Sequence, residues 1–589
     1  MKFLYRLRSI FQGIKQSSER FPITISISTL LTVLLIYFNE NLQSMASLQQ
    51  ERWVRLNMTL GMGILLSLCL DLLKENFFKD DKGKTFLTYL FGLVVLGFNY
   101  MVLLEDFNIV SLTRYIGMMI FLLIVFFYVP VIWNKDRNYE LRVIDIFGSI
   151  FETAIYSLVL LLGIFAIIFT IDSLFDIDIE FKLYYYIFLI VFFIFAISFF
   201  LSKLPRDGET FDKKNYSQSM RILLTYIVIP LISVYTLILY VYFAKILITW
   251  EWPKGLVSHL VVWYTAISIG VLFLITPLLE TDKISRYFKT LFPKLVLPIL
   301  LMMFLSIGQR INQYGVTENR YYVLVFGIWI ALIMIYFSIK KPLKNLIIPI
   351  SLSLVVLNSV IGPLSSYSIS KYSQNKRLED ILNSNSMISG NNIVRKADIS
   401  DEDKTQISNI IYYFDNKHSL DDVKLLPNDF DTENMVAVFG FEYNPNIWGT
   451  PTSPYTERYF HHNIYLAGNP IDIASYDYYL QLASWINESI PLDDILIKDP
   501  LLNLSMERED EVLISLNIEE VAMDIVTRLG TDPDLEKAQN SPEEMTYEHT
   551  GKDLKIKIIF TTISGVVTDE EVEIQSIEYI LLIDDLNKE

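Results

Sequence analysis

Eleven apolar runs, each near the 17–25 residues or so that a helix needs to cross a bilayer, recur within the first 364 positions of this sequence. They lie at 21–38, 54–73, 86–104, 115–133, 154–175, 183–201, 222–248, 256–279, 292–307, 321–339 and 346–364. Hydrophobic residues make up 52% of the chain and charged residues only 20%, with mean hydropathy +0.37. A soluble domain carries more charge and less apolar content. The pattern predicts a polytopic α-helical membrane bundle of about 11 transmembrane helices. The first run is too long, and begins too far in, for a signal-peptide core, so it reads as an uncleaved helix despite the small pair Ser44 and Ala46.

After position 364 the texture changes. Residues 1–364 hold 32 Lys+Arg against 24 Asp+Glu, and residues 365–589 hold 17 against 42. The formal charge of −17 is therefore +8 on the first part and −25 on the second. This break predicts two domains, a transmembrane helical domain over 1–364 and an acidic α+β domain over 365–589. In the second, helical spacing of apolar residues predicts helices over 368–382, 405–414 and 518–529, the last stopped by Gly530. Alternation predicts strands over 436–441, 463–466, 476–482, 512–516, 554–560 and 574–582, and a polar, mobile loop over 531–550. A surface this acidic repels polyanions, so nucleic acid is not an expected partner.

Basic residues in the loops give the sidedness. The N-terminus and every second loop together carry 24 Lys and Arg, the intervening loops 8, and the alternation does not break over eleven spans. The positive-inside rule then puts the N-terminus in the cytoplasm and the acidic domain outside. The cores are almost free of ionisable groups, which at membrane depth mark ion pathways; Asp71 and Glu152 lie toward the cytoplasmic ends of their spans and read as structural. A proton- or ion-coupled transporter is correspondingly disfavoured.

Chemistry is sparse. The one cysteine, Cys69, sits in an apolar run and reads as a small hydrophobe, so no metal site built on Cys and no internal disulfide is expected. The pair His461 and His462 would point to opposite faces of a strand and could not grip one metal; solvated loop histidines are the simpler reading. Without a phosphate-binding glycine loop or a nucleophile elbow, no cofactor and no metal is expected. One loop stands out, 309–321, expected at the outer face: Gly315 permits a tight turn, and Thr317 and Glu318 suit the start of the next helix. Its Arg310, Glu318 and Arg320 form either a binding site for an anionic headgroup or glycan, or a capped turn whose charges dock the acidic domain.

The segments YGVTENRY at 314–321, ITWEWPKG at 248–255, GPLSSYSIS at 362–370, SQNKRL at 373–378 and SYDYY at 475–479 carry a resemblance. With RFP at 20–22, they are similar to the bacterial multi-pass membrane proteins grouped as domain of unknown function (DUF) 4153. The resemblance implies a bacterial inner-membrane protein and supplies no catalytic residues.

The expected function is thus a non-enzymatic cell-envelope protein, in contact with the lipid bilayer, whose outer domain binds an envelope protein or a glycan or lipid ligand. The alternative is a membrane enzyme acting on a lipid-linked substrate, glycosyltransferase-like, with Glu40, Glu51, Glu105 and Asp106 as the acids at hand; a transporter is the third possibility. The sequence alone leaves open whether the chain is an enzyme.

Overall fold

The computed structural model describes residues 12–77, 81–104, 107–132, 139–175, 179–206, 216–250, 256–339, 344–390, 392–427, 429–445, 458–464, 471–483, 489–498, 502–509, 511–530, 540–551, 553–567 and 572–587. Among these residues, nine helices are long and apolar enough to cross a membrane. They are α1 (Pro22–Ser44), α2 (Ser47–Phe77), α3 (Lys82–Leu103), α4 (Ile109–Val131), α5 (Tyr139–Phe175), α6 (Phe181–Lys203), α7 (Gln218–Thr249), α9 (Lys283–Tyr314) and α10 (Glu318–Ile339). Two shorter apolar helices, α8 (Leu256–Leu274) and α11 (Ile347–Val360), stand where the eighth and eleventh runs lie. The chain is a helical membrane bundle followed by a strand-rich α+β part.

Prolines bend this bundle without breaking it. Pro293 and Pro298 lie inside the 32-residue α9, which is twice as long as its apolar core suggested. In α7, the turns before Pro230 widen to π geometry over Leu223–Val228, which absorbs the lost backbone bond. The main core joins α7 to α11, with Val261, Leu272, Val296, Ile299, Ile330 and Met334 almost wholly buried. Asp71 is also buried, accepting from Thr24 at 3.1 Å and from the Tyr89 hydroxyl. Glu152 pairs with Lys203 at 3.0 Å. Both acids have local partners, as structural groups should.

By its internal contacts the chain divides into two compact units, Met1–Ile447 and Trp448–Glu589. The compositional break at 364/365 falls inside the first of them. The physical reason is a second, helical core: α12 (Ser366–Ser384) and α13 (Asp401–Lys417) bury Leu378, Leu382, Ile407, Ile410, Ile411 and Phe414 together. Ser400 caps α13 by accepting from Asp403 N–H at 3.1 Å. The stretch expected as a strand over 436–441 is instead a helical turn, Met435–Val438, followed by a bend. Met435 and Phe439, four apart, both face this core, and that is helical spacing. The short strands β1 (Ile388–Ser389) and β2 (Asn392–Ile393) close the layer.

The second unit has two antiparallel sheets. One orders β3 (Arg458–Asn463), β10 (Leu554–Val567), β11 (Val572–Asp585) and β4 (Tyr478–Ala483), with β9 (Thr546–Thr550) also on β10. The other orders β5 (Ile490–Leu492), β6 (Ile495–Lys498), β7 (Asn503–Arg508) and β8 (Glu511–Asn517). Helix α14 (Ile518–Leu529) ends at Gly530, whose φ of 86° is left-handed backbone. Part of the expected 531–550 loop is strand β9; residues 531–539 lie outside the described set, as does the end of the expected strand 463–466. His462 is not a solvated loop residue: it is buried on β3, with Nε2 2.9 Å from Gly530 O and Nδ1 3.2 Å from Asn540 Nδ2. Its neighbour His461 is exposed on the opposite face.

Ile556, Ile558, Phe560, Ile577, Tyr579 and Leu581 of β10 and β11 are wholly buried, and the unit carries no cysteine to staple. A fragment spanning Trp448–Glu589 is therefore expected to be soluble and monomeric, to show mixed helix and strand by circular dichroism, and to melt cooperatively. A precipitate, or a melt without a transition, would mean that it borrows its core from elsewhere.

Candidate functional site

The loop singled out by the sequence is a turn between α9 and α10, and it is clamped by α12. Gly315 has φ 69°, and its N–H donates to Ile311 O at 2.9 Å to end α9. A Cβ there would stand 2.9 Å from Gln374 Nε2, so both backbone shape and space call for glycine. Gln374 Nε2 donates to Tyr314 O and Val316 O, each at 3.1 Å, and Val316 N–H donates to Ser373 Oγ at 2.8 Å. Thr317 starts α10 through its carbonyl, which accepts from Tyr321 N–H at 2.8 Å. The Tyr321 hydroxyl donates to Leu364 O at 2.5 Å, and the Tyr322 hydroxyl lies 2.9 Å from Ser366 Oγ. The stretch 364–374 is thus held along its length.

The three residues named from the sequence part company here. Glu318 faces α13: the Tyr413 hydroxyl donates to its Oε1 at 2.6 Å, and His418 Nε2 lies 2.9 Å from the same oxygen. The His418 side chain is 2% exposed, with its ring against Tyr367 and Phe414. Burial, reinforced by the carboxylate, pushes the Tyr413 hydroxyl far above its ordinary pKa, so it remains a proton donor at all ordinary pH. Glu318 latches α10 to α13 through its Oε1.

Arg310 and Arg320 stay together, and a third guanidinium joins them. Arg320 Nη1 donates to Gly315 O at 2.9 Å and Tyr314 O at 3.2 Å, with its Cζ 5.4 Å from the Tyr314 ring centre. Arg377 of α12 lies over the same ring at 5.9 Å and donates to Gln406 Oε1 at 3.0 Å. Burial holds the Arg377 guanidinium below its ordinary pKa, though a group with so high a value stays charged. The charges of Arg310 and Arg377 both act on Arg320. Among the described residues none of the three is paired with a carboxylate. Arg320 and Arg377 thus flank one tyrosine with backbone and amide oxygens as their protein partners, and the Arg310 charge lies close enough to act on Arg320.

Arg377, Tyr413 and His418 were not singled out from the sequence. Arg377 could have been: Ser373, Gln374 and Arg377 share one face of α12 by their spacing. Tyr413 and His418 meet Glu318 from about a hundred positions away, which no local pattern reveals. Of the acids at hand for enzymatic chemistry, Glu40 is engaged by the Tyr186 hydroxyl at 2.7 Å and Glu51 lies 3.8 Å from Arg55, while Glu105 and Asp106 lie outside the described residues.

A family model described as "Domain of unknown function (DUF4153)" matches residues 24–390, the bundle together with α12. The SYDYY segment at 475–479 lies beyond that match. The uncharacterised protein PM1469 of Pasteurella multocida (strain Pm70) is 24% identical over 261 residues, 43% of this chain. The matched stretch spans 44% of that relative's length. No solved structure matches.

Proposed function

The chain belongs to the DUF4153 family, and from that premise we propose that it is a non-enzymatic protein of the bacterial inner membrane which binds an anionic lipid headgroup at its outward-facing end. The single observation that carries this reading is the grouping of Arg320 and Arg377 over Tyr314, with Arg310 close enough for its charge to act on Arg320 and none of the three paired with a carboxylate among the described residues. Guanidinium forks suit phosphate oxygens, and the ends of α9 and α10 are where a headgroup would lie. The alternation of basic loops supports placing the N-terminus in the cytoplasm, which puts this turn and the C-terminal unit outside.

The test uses purified full-length protein and a short-chain phosphatidylglycerol probe, with phosphatidylcholine of the same chain length as control. A ligand that binds only the folded state at about 100 times its Kd stabilises by about 2.7 kcal/mol. The expected result is a rise in melting temperature with the glycerol lipid that exceeds the rise with choline. In Arg310→Ala combined with Arg377→Ala that excess should vanish. These two positions are preferred because Arg320 also holds the turn's carbonyls. Equal shifts with both lipids in the natural chain would defeat the reading.

A further inference from the structure

A crevice of about 480 Å³ runs between α4, α8, α10 and α11. Its floor is apolar and buried, made by Gly117, Val262, Val323 and Val360. Its rim is apolar and open: Ile116, Ile120 and Trp263 are 49%, 44% and 66% exposed. All these residues sit on helices of the membrane bundle, so the medium at the rim is lipid hydrocarbon rather than water. The volume falls within the range of about 300–1,000 Å³ usual for small-molecule sites.

The polar lining is confined to one end. Thr113, His259 and Asn319 stand near the starts of α4, α8 and α10, and Ser359 stands at the end of α11, which runs the opposite way. Thr113 accepts from the Tyr367 hydroxyl at 2.9 Å. His259 and Asn319 have no hydrogen-bond partner within the protein among the described residues, and both are exposed at this mouth. The mouth thus offers an imidazole and an amide with capacity to spare, while the shaft offers only dispersion contacts. Asn319 directly precedes Arg320, so the polar mouth lies at the same end of the bundle as the arginine-bearing turn. Such a gradient matches one molecular shape, an alkyl tail continued by an ester-bearing neck.

We propose that this crevice holds one acyl chain of a membrane glycerophospholipid, with the ester neck hydrogen-bonded at His259 and Asn319. The apolar, lipid-facing rim selects a hydrocarbon occupant, and the spare donors and acceptors at the mouth select an acyl ester over a bare hydrocarbon. This site stands on its own residues and would hold even if the arginines bind no headgroup.

Native mass spectrometry of the full chain released from detergent, with phosphatidylglycerol as the added probe, tests it. The natural chain should keep one lipid through washing. Val356 also lines the crevice, and Ile120→Phe at the rim combined with Val356→Phe fills it and should lower that occupancy about tenfold. Arg310→Ala combined with Arg377→Ala should keep the bound lipid and alter only the preference for glycerol over choline headgroups. A lipid retained by the filled variant but lost from the arginine variant would overturn the chain site and leave the headgroup reading standing. A lipid retained equally by all would overturn the chain site. One further reading needs no change to the shaft: the emission lost in Trp263→Phe belongs to the rim, and lipid with brominated chains should quench it saturably in the natural chain. Absence of that quenching overturns the proposal even if the filled variant fails to fold, and retention of polyisoprenoid carrier alone would do the same.

Discussion

Replacing Glu318 with alanine is expected to loosen the α12–α13 layer from the start of α10. The carboxylate is the acceptor for the Tyr413 hydroxyl at 2.6 Å and lies 2.9 Å from His418 Nε2, and the His418 side chain is 2% exposed. Removing it takes away their shared acceptor and leaves Tyr413 Oη and His418 Nε2, 2.8 Å apart, with each other, so that about one buried donor goes unmet at a cost of about 1–3 kcal/mol. A loss of about 1–3 kcal/mol in the stability of this layer follows. It should appear as faster hydrogen exchange along α13 and as new protease cleavage between α12 and α13. Glu318→Gln keeps an acceptor of the same shape and should lose less. The remaining clamps, Gln374 on Tyr314 O and Val316 O and Ser373 on Val316 N, limit the effect to loosening rather than release. Exchange and cleavage like those of the natural chain in Glu318→Ala would remove the latch from the account.

The second large effect is expected at Gly117, where α4 meets α11. A Cβ at this position would run into Val360 Cγ1, which no small adjustment of one rotamer relieves. Close approach through a small residue is how membrane helices gain packing in the absence of a hydrophobic drive. Gly117→Ala is therefore expected to destabilise by about 1–3 kcal/mol through overpacking. Val360→Ala in the same chain removes the clashing methyls and should restore most of the loss. The pair is non-additive because the two residues touch. Melting temperatures of the purified single and double variants in one detergent decide it; additive losses would place the strain elsewhere.

Much of this architecture could be read from the sequence, and the reasons differ by region. Membrane helices announce themselves because every backbone group must be satisfied within the segment, so long apolar runs have few alternatives. That logic found α8 and α11, which are short, as well as the nine long helices. It undersized α9, because Lys283 to Lys289 and Gln309 to Tyr314 extend that helix at its polar ends, where hydropathy falls away. In the C-terminal unit the long strands β10 and β11 and the helix α14 were legible from alternation and from Gly530. The short strands β5 and β6 were not, since Pro491, Asp493 and Asp494 break the alternation within a few residues. The run at 436–441 misled because Val436, Val438, Phe439 and Phe441 favour a strand locally, while the shared core with α13 imposes the helical spacing of Met435 and Phe439.

The distinctive loop was legible as a turn and not as a site. Gly315 gave the turn, and the clustering of Arg310, Glu318 and Arg320 gave its polarity. What the sequence could not do is sort those charges, because sorting depends on partners brought from 374–418. Glu318 Oε1 is engaged by Tyr413 and His418, and Arg377 joins the cations instead. The turn contacts α12 through backbone bonds and α13 through one carboxylate, and among the described residues Arg310 and Arg320 take no part in an ion pair.

The central claim is that this turn faces away from the cytoplasm, and cysteine accessibility tests it most directly. The chain's single cysteine, Cys69, is buried, so background labelling is low. Gln313→Cys lies in the turn's exposed flank, and Lys213→Cys lies in the stretch of sequence before α7 whose basic residues assign it to the cytoplasm. In intact spheroplasts a membrane-impermeant maleimide should label Gln313→Cys and spare Lys213→Cys until the membrane is permeabilised. Labelling of Lys213→Cys in intact spheroplasts, with Gln313→Cys protected, would turn the bundle over and place the arginine site on the wrong side for an outward-facing ligand.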